Sequence, residues 1–146
     1  MNERVFEPST GDGPPPAAGG RAEEVRTAYE GLQRIRTLTG AASRPADWER
    51  HRPVRAVALA LEAAGVEPSA VDGARRRTAT GYRVSAGDRP GTVRVEWLGP
   101  PGSGAAWEEE RRLRGCADAL EAAGWEPLLY KGPRGRRYLE VEPGGG

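Results

Sequence analysis

Residues 82–97 read YRVSAGDRPGTVRVEW, and this stretch decides the fold. Apolar and polar side chains alternate in its first five residues, 82–86, and again in its last five, 93–97. A period of two residues is typical of a β-strand that buries one face and exposes the other to water. The intervening residues are rich in Gly, Asp and Pro, which favour a turn. The stretch therefore predicts an antiparallel β-hairpin with one apolar face.

A second hairpin and two helices are predicted around the first hairpin. Residues 128–131 and 138–142 form the strands of the second hairpin and flank the turn sequence Gly-Pro-Arg-Gly at 132–135. Residues 53–64 and 105–123 carry apolar side chains at helical spacing, and a Gly follows each of them. The helical stripes consist of Val54, Val57, Ala58 and Leu61 in one helix and of Leu113, Cys116, Ala117 and Leu120 in the other.

The order of these elements indicates the architecture. Helices that alternate with hairpins, rather than with single strands, favour an antiparallel sheet. We therefore predict the α+β class: a two-layer domain over residues 53–142, with a four-stranded antiparallel sheet in α-ββ-α-ββ order and the helices on one face. The predicted core consists of Val54, Val57, Leu61, Tyr82, Val84, Val93, Val95, Trp97, Leu113, Cys116, Leu120, Trp125, Leu128, Leu139 and Val141.

The segments outside these elements have different patterns. Residues 1–20 have no apolar period and contain Gly-Asp-Gly-Pro-Pro-Pro, so a disordered tail is predicted there. Residues 143–146 are predicted to be a second disordered tail. Residues 21–40 indicate an extra N-terminal helix, because their apolar side chains recur at helical spacing. Residues 41–52 and 66–80 are predicted to be a connector and a loop.

Composition excludes several classes of protein. The chain has 146 residues with one Cys and one His, so it forms neither an internal disulfide nor a common structural zinc site. Its longest apolar stretch, residues 56–61, is too short to span a bilayer, and an apolar signal-peptide core is absent near the N-terminus. We expect a cytoplasmic protein of one small domain, with no cofactor, no metal and no membrane contact.

The sequence shows no set of side chains that predicts catalysis. Cys116, the only thiol, lies on the apolar stripe of a helix, where a free Cys is usually a small buried residue. His51 stands between two arginines, and the sequence pairs no nucleophile with it. The three glutamates at 108–110 would diverge on a helix rather than converge on a metal. We therefore predict no catalytic and no metal-binding residues.

Basic side chains are the one surface signal. The chain has 22 Lys+Arg against 21 Asp+Glu, and every basic residue except Lys131 is an arginine. An excess of Arg over Lys is typical of a GC-rich coding sequence, so only local clustering is informative. Residues 75–77 and 131–137 contain no acid, and two further arginines are predicted on the open face of the sheet, near Tyr138. The candidate binding residues are Arg75, Arg76, Arg77, Arg83, Arg94, Lys131, Arg134, Arg136 and Arg137.

Three hypotheses for the function follow. The leading one is a non-enzymatic binding or accessory module whose Arg-rich loops contact nucleic acid or an acidic protein. Its alternative is a solvated surface of mixed charge, because Glu96, Glu140 and Glu142 share the open face in the predicted register. The second hypothesis is a structural or assembly protein that self-associates, as a homodimer, through sheet edges or the N-terminal helix. The third is a small enzyme that uses those three carboxylates.

Overall fold

A computed structural model describes residues 6–144 of the chain. The helices are α1 (Arg21–Leu38), α2 (Asp47–His51), α3 (Pro53–Ala63) and α4 (Ala105–Ala122). The strands are β1 (Ala70–Val71), β2 (Arg77–Ala79), β3 (Gly81–Ala86), β4 (Val93–Leu98), β5 (Trp125–Lys131) and β6 (Arg137–Pro143). A short 3-10 turn, Pro133–Gly135, joins β5 to β6. None of the helices within the described residues is long and apolar enough to cross a membrane.

Strands β3 to β6 form one antiparallel sheet in the order β3-β4-β6-β5. Val84 pairs with Val95, and Val95 pairs in turn with Leu139, so the apolar positions of neighbouring strands lie in register on one face. Helices α3 and α4 pack on that face. The predicted α+β class, with two hairpins and helices on one side of a four-stranded antiparallel sheet, is confirmed. We call the other side of this sheet the open face.

The core lies between the sheet and helices α3 and α4, and it contains most of the predicted core residues in buried positions. Val54 is only half-buried at its margin. The prediction is wrong at Leu128, which is 54% exposed. Leu129 packs against the core instead and lies directly opposite the buried Leu139 of β6. The prediction assigns the inward-facing position to the neighbouring residue, and a shift of one residue along a strand moves a side chain to the other face of the sheet.

Helix α1 packs against α3, and a buried ion pair joins it to α2. Val25 of α1 lies in one apolar cluster with Leu59 of α3. Arg36 donates two hydrogen bonds to the carboxylate of Glu49, from Nε to Oε2 at 2.8 Å and from Nη2 to Oε1 at 2.7 Å. The connector predicted at residues 41–52 therefore contains a helix. Its five residues are too few to show a helical period, and the ion pair holds it in place.

The structure differs from the predicted disordered tail over residues 6–16, which we call the N-terminal segment; residues 1–5 lie outside the described residues. The backbone N–H of Val84 on β3 donates to the carbonyl of Thr10 at 2.7 Å. Gly11 is buried against the sheet. The segment is held by backbone groups and by side chains far along the chain. Such contacts leave no periodic pattern in the segment itself.

Two further segments differ from the prediction. The loop predicted at residues 66–80 contains β1 and β2, which pair with each other antiparallel. The tail predicted at residues 143–146 begins inside the fold: Pro143 ends β6, and the N–H of Gly144 donates to the carbonyl of Gly124 at 3.1 Å. The last two residues lie outside the described residues. Strands β1 and β2 have only two and three residues, too few to show an alternating pattern, and Gly144 bonds to Gly124, which precedes β5.

Candidate functional site

The second hairpin carries four of the predicted binding residues, and two of these are bound to acids of α4. Arg136 Nε donates to Glu109 Oε2 at 2.9 Å, and Arg137 Nε lies 3.2 Å from Glu110 Oε1. Glu109 is buried, and it also accepts the backbone N–H of Arg137 at 2.7 Å. These ion pairs fasten the hairpin to α4 and neutralise half of its basic cluster.

Four other candidate residues have exposed side chains: Lys131 and Arg134 near the tip of the second hairpin, and Arg75 and Arg76 in the turn between β1 and β2. These two pairs lie at different edges of the sheet. The turn between β1 and β2 leads into β3 at one edge, whereas the hairpin tip joins β5 and β6 at the other. The structure therefore does not bring the two acid-free runs together in one patch.

Arg77 and Arg83 hold the N-terminal segment. Arg77 Nη2 and Arg83 Nε donate to the two oxygens of the Asp12 carboxylate, at 3.0 and 2.7 Å. Arg83 also donates to Glu96 Oε1 at 2.9 Å. The two guanidinium groups are thus engaged with two carboxylates inside the protein. Their role in this structure is to fix a segment of the chain.

Arg94 lies on the open face of the sheet beside Tyr138. Its Cζ is 4.0 Å from the centroid of the Tyr138 ring, which is a cation–π contact, and its Nη2 donates to Asp88 Oδ2 at 3.1 Å. The strand registers place four carboxylates on the same face: Glu96, Glu126, Glu140 and Glu142. The open face is therefore a surface of mixed charge, in which acids match the arginines.

The β3 edge of the sheet is covered by the chain itself. The carbonyl of Tyr82 accepts the N–H of Ser69 at 2.9 Å, and the N–H of Val84 donates to Thr10 at 2.7 Å. The N-terminal segment and the residues before β1 thus pair the outward backbone groups of this strand. A covered edge is protected from pairing with other chains.

Within the described residues, β5 pairs with β6 alone and leaves its other side free. Two hydrogen bonds show which way its backbone points: Gly132 N–H donates to the Arg136 carbonyl at 2.6 Å, and Gly144 N–H donates to the Gly124 carbonyl at 3.1 Å. Every second residue of an antiparallel ladder bonds to its partner, so the even-numbered residues of β5 bond to β6. The odd-numbered residues direct their backbone groups outward. Pro127, which lacks an N–H, is one of them, as is usual for an edge strand.

Apolar side chains are exposed along this free edge. Leu128 and Tyr130 are 54% and 43% exposed. The ring of Tyr130 stacks on Tyr138, with centroids 5.7 Å apart and planes at 23°. The sequence prediction places Leu128 in the core and therefore misses this surface. The signal that could have revealed it is Pro127, because a proline within a strand pattern marks an edge.

Charge is distributed unevenly along β5. Glu126 is exposed near the beginning of the strand, and Glu142 of β6 lies directly opposite it. Lys131 and Arg134 are exposed at the other end. The free edge therefore runs from an acidic end to a basic end.

Cys116 and His51 are the thiol and the imidazole considered for catalysis, and each contacts its own helix or the core. Cys116 is 1% exposed, and burial raises the pKa of its thiol to about 12 although Arg112 acts in the opposite direction. His51 Nδ1 lies 2.8 Å from the carbonyl oxygen of Asp47 in its own helix. Within residues 6–144, no group of three or more His, Cys, Asp or Glu side chains is placed to hold a metal ion.

The three carboxylates of the enzyme hypothesis are separately engaged. Glu96 accepts from Arg83 at 2.9 Å, and Glu142 accepts from Arg89 at 3.4 Å. Glu140 is 8% exposed, and its Oε1 has no hydrogen-bond partner among the described residues. A pair of carboxylates poised for acid–base catalysis would need one group free to reach a substrate. The two more accessible members of this set, Glu96 and Glu142, are half-buried and are held in ion pairs.

The chain matches no protein-family model, no curated protein and no solved structure.

Proposed function

We propose that this protein is a non-catalytic assembly module whose strand β5 pairs antiparallel with β5 of a second copy. The observation that carries this proposal is the difference between the two sheet edges. The chain covers the β3 edge with its own N-terminal segment, whereas β5 has a free side flanked by exposed Leu128 and Tyr130. A strand edge with unpaired N–H and C=O groups readily adds a strand from another chain.

The residues of β5 suit pairing with themselves in the antiparallel direction. A two-fold axis at Leu129 places Leu128 of one copy opposite Tyr130 of the second copy, once on each side of the axis. The same axis places Lys131 of one copy opposite Pro127 of the other, one residue from Glu126, so the basic end of each strand lies beside the acidic end of the other, with the Lys131 and Glu126 side chains on opposite faces. A parallel arrangement would bring ends of like charge together, which is unfavourable.

Pro127 favours this axis over the neighbouring one. With the axis at Leu129, the N–H and C=O of Leu129 bond to those of Leu129 in the second copy, so the central pair is complete. The Pro127 carbonyl meets the N–H of Lys131, and the N–H that Pro127 lacks leaves only the Lys131 carbonyl, at the end of the strand, without a donor. An axis at Leu128 would put Pro127 opposite Leu129 in both central pairs, and the missing donor would then lie beside the axis, at each Leu129 carbonyl.

The arrangement of the basic residues gives weaker support to the binding of an acidic partner than the free edge gives to self-association. Of the nine candidate residues, those already bonded to carboxylates are Arg77, Arg83, Arg94, Arg136 and Arg137. The remaining four are divided between two edges of the sheet. A surface dedicated to nucleic acid collects its basic groups on one face. Binding of nucleic acid through the basic loops is therefore the alternative that the experiment distinguishes, and a cytoplasmic location stays a prediction.

Light scattering coupled to size-exclusion chromatography tests the proposal. The mass of the wild-type protein should change from that of a monomer to that of a dimer as its concentration rises. Leu128→Lys removes apolar surface from the interface and brings two ammonium groups, one from each copy, to diagonal positions across the axis, so it should keep the protein monomeric where the wild type is dimeric. The matched control is Leu38→Lys, because Leu38 is 80% exposed on α1, outside the sheet. This control should dimerise like the wild type.

Three results would overturn the proposal. The first is a wild-type monomer at the highest soluble concentration. The second is dissociation by Leu38→Lys but not by Leu128→Lys, which would move the interface to the N-terminal helix. The third is a monomer that binds DNA or RNA in a gel shift at low salt and loses this binding in Arg134→Ala, which would favour the basic-loop hypothesis.

A further inference from the structure

A cleft of about 510 Å³ lies between α4 and residues 65–67, which follow α3. Its size falls within the range of small-molecule sites. The most buried residues that line it are Trp97, 4% exposed, and Cys116, 1% exposed, so these form its floor. We call this feature the α3–α4 cleft. It lies on the helix side of the sheet and shares no residue with the free edge of β5.

The floor of the α3–α4 cleft contains a hydrogen-bond donor without an acceptor. Nε1 of Trp97 is buried and has no hydrogen-bond partner among the described residues. The indole nitrogen is a donor only, so its missing partner must carry an acceptor atom. A buried donor without a partner destabilises the protein, and a bound acceptor would remove this penalty.

The rim of the cleft holds two guanidinium groups that share one carboxylate. Arg111 Nη2 lies 3.0 Å and Arg112 Nη2 lies 3.7 Å from the same oxygen, Oε1 of Glu108. A second carboxylate would complete the pairing of these arginines. Glu67 also lines the cleft, which disfavours a ligand with several negative charges. The charge of the site suits a monoanion.

Glycine leaves space on the α4 wall. A Cβ added at Gly115 would meet no atom within 4 Å, so this position opens into empty space. Gly within a helix is less stable than Ala, so its presence here favours the open space over helix stability. Val66 adds an apolar side chain on the opposite wall. The cleft thus combines open volume, an apolar wall and a few polar groups, as ligand sites do.

We propose that the α3–α4 cleft binds a small organic monocarboxylate with an apolar body. The carboxylate accepts hydrogen bonds from Arg112 and from Nε1 of Trp97, and the body lies against Val66 in the space beside Gly115. Nε1 has no exposed surface, so a side chain at the rim must move first. Arg112 is placed to make this movement, because its Cζ lies over the Trp97 ring, 5.5 Å from the centroid, and its side chain is 47% exposed.

Titration with benzoate, followed through the indole N–H resonances of ¹⁵N-labelled protein, tests this proposal. The resonance of Trp97 is assigned by its loss in Trp97→Phe. Benzoate should move it downfield in a saturable way, because the N–H acquires an acceptor. Benzyl alcohol, which has a similar body without the carboxylate, should leave it in place. The resonance of Trp107, which is 93% exposed, is the internal control.

Substitutions then locate the site. Gly115→Leu fills the open space and should weaken benzoate binding by about tenfold or more, as should Arg112→Gln, which removes the charged donor. Gly31→Leu is the matched control, because Gly31 is also a helical glycine with no atom within 4 Å of an added Cβ. It should bind benzoate like the wild type. No shift of the Trp97 resonance, or equal affinity in Gly115→Leu and Gly31→Leu, would overturn the proposal.

Discussion

Nε of Arg83 on strand β3 donates a hydrogen bond to Oδ2 of Asp12, 2.7 Å away, and this contact joins the N-terminal segment to the sheet. Arg77 Nη2 donates to the other oxygen of the same carboxylate at 3.0 Å. One side chain thus connects the segment both to β3 and to β2. Because the segment covers the β3 edge, the charge of Asp12 helps to determine how many edges of the sheet are free.

Neutralising Asp12 should loosen the N-terminal segment. Burial raises the pKa of Asp12, but the hydrogen bonds and charges of Arg83 and Arg77 outweigh burial and leave the pKa below its usual value of 3.8. The contribution of the carboxylate to the free energy of unfolding is therefore complete above that usual value and is lost as the pH falls through the lower folded-state pKa. Asp12→Asn should reduce the free energy of unfolding by about 1 kcal/mol at pH 7.

Urea unfolding at neutral and at strongly acidic pH measures this effect. The difference between Asp12→Asn and the wild type should shrink in acid, where the wild-type carboxyl is itself protonated. Asp88→Asn is the control, because Asp88 is 75% exposed and, among residues 6–144, forms an ion pair with Arg94 alone. If the two variants lose the same stability at neutral pH, Asp12 has no special role in holding the segment.

Gly11→Ala should detach the same segment by steric means. Gly11 has φ +91°, and an added Cβ would overlap the carbonyl oxygen of Tyr82. A substitution that combines a left-handed backbone with overlap of backbone atoms should cost about 2 kcal/mol. Gly13→Ala is the matched control, because Gly13 has an ordinary φ and open space around an added Cβ. Hydrogen exchange at the N–H of Val84, which donates to Thr10, should accelerate only in Gly11→Ala.

The N-terminal segment also shows where sequence patterns stop being informative. The alternating runs at 82–86 and 93–97 and the helical stripe at 53–64 reveal their structure because each pattern repeats within the element itself. Gly11 and Asp12 belong to no repeating pattern, so the sequence around them does not predict their structure. Their contacts are with residues about seventy positions later in the chain, and only the folded backbone brings the partners together.

Strand β5 illustrates a second limit. Its residues Leu128, Leu129 and Tyr130 are consecutive and apolar, so they do not alternate and cannot define which face is buried. The choice is made by pairing with β6, where Leu129 lies opposite the buried Leu139. The role of the basic residues is ambiguous for a similar reason. Clustering along the sequence identifies the candidates, but the acids that neutralise five of them come from other parts of the fold.

The buried pair of Arg36 and Glu49 should tolerate joint replacement better than the loss of one partner. The two side chains are 2% and 1% exposed, so Arg36→Met leaves a buried carboxylate without its cation and should cost about 3–5 kcal/mol. Adding Glu49→Leu removes the unpaired charge and should recover part of that loss. Equilibrium unfolding in urea gives the coupling free energy from the double-mutant cycle. Additive losses would show that the pair does not act as a unit.

Cys116 should be unreactive in the native protein. Burial raises the pKa of its thiol to about 12, with Arg112 opposing this shift only in part, so almost no thiolate exists near pH 8. Ellman's reagent should therefore modify native protein at least about a hundredfold more slowly than a free thiol, since reaction waits for local opening. Denaturant should release one reactive thiol per chain as the positive control. Fast modification of the native protein would mean that the floor of the α3–α4 cleft is open to solvent, and benzoate should then slow the reaction if it occupies the same space.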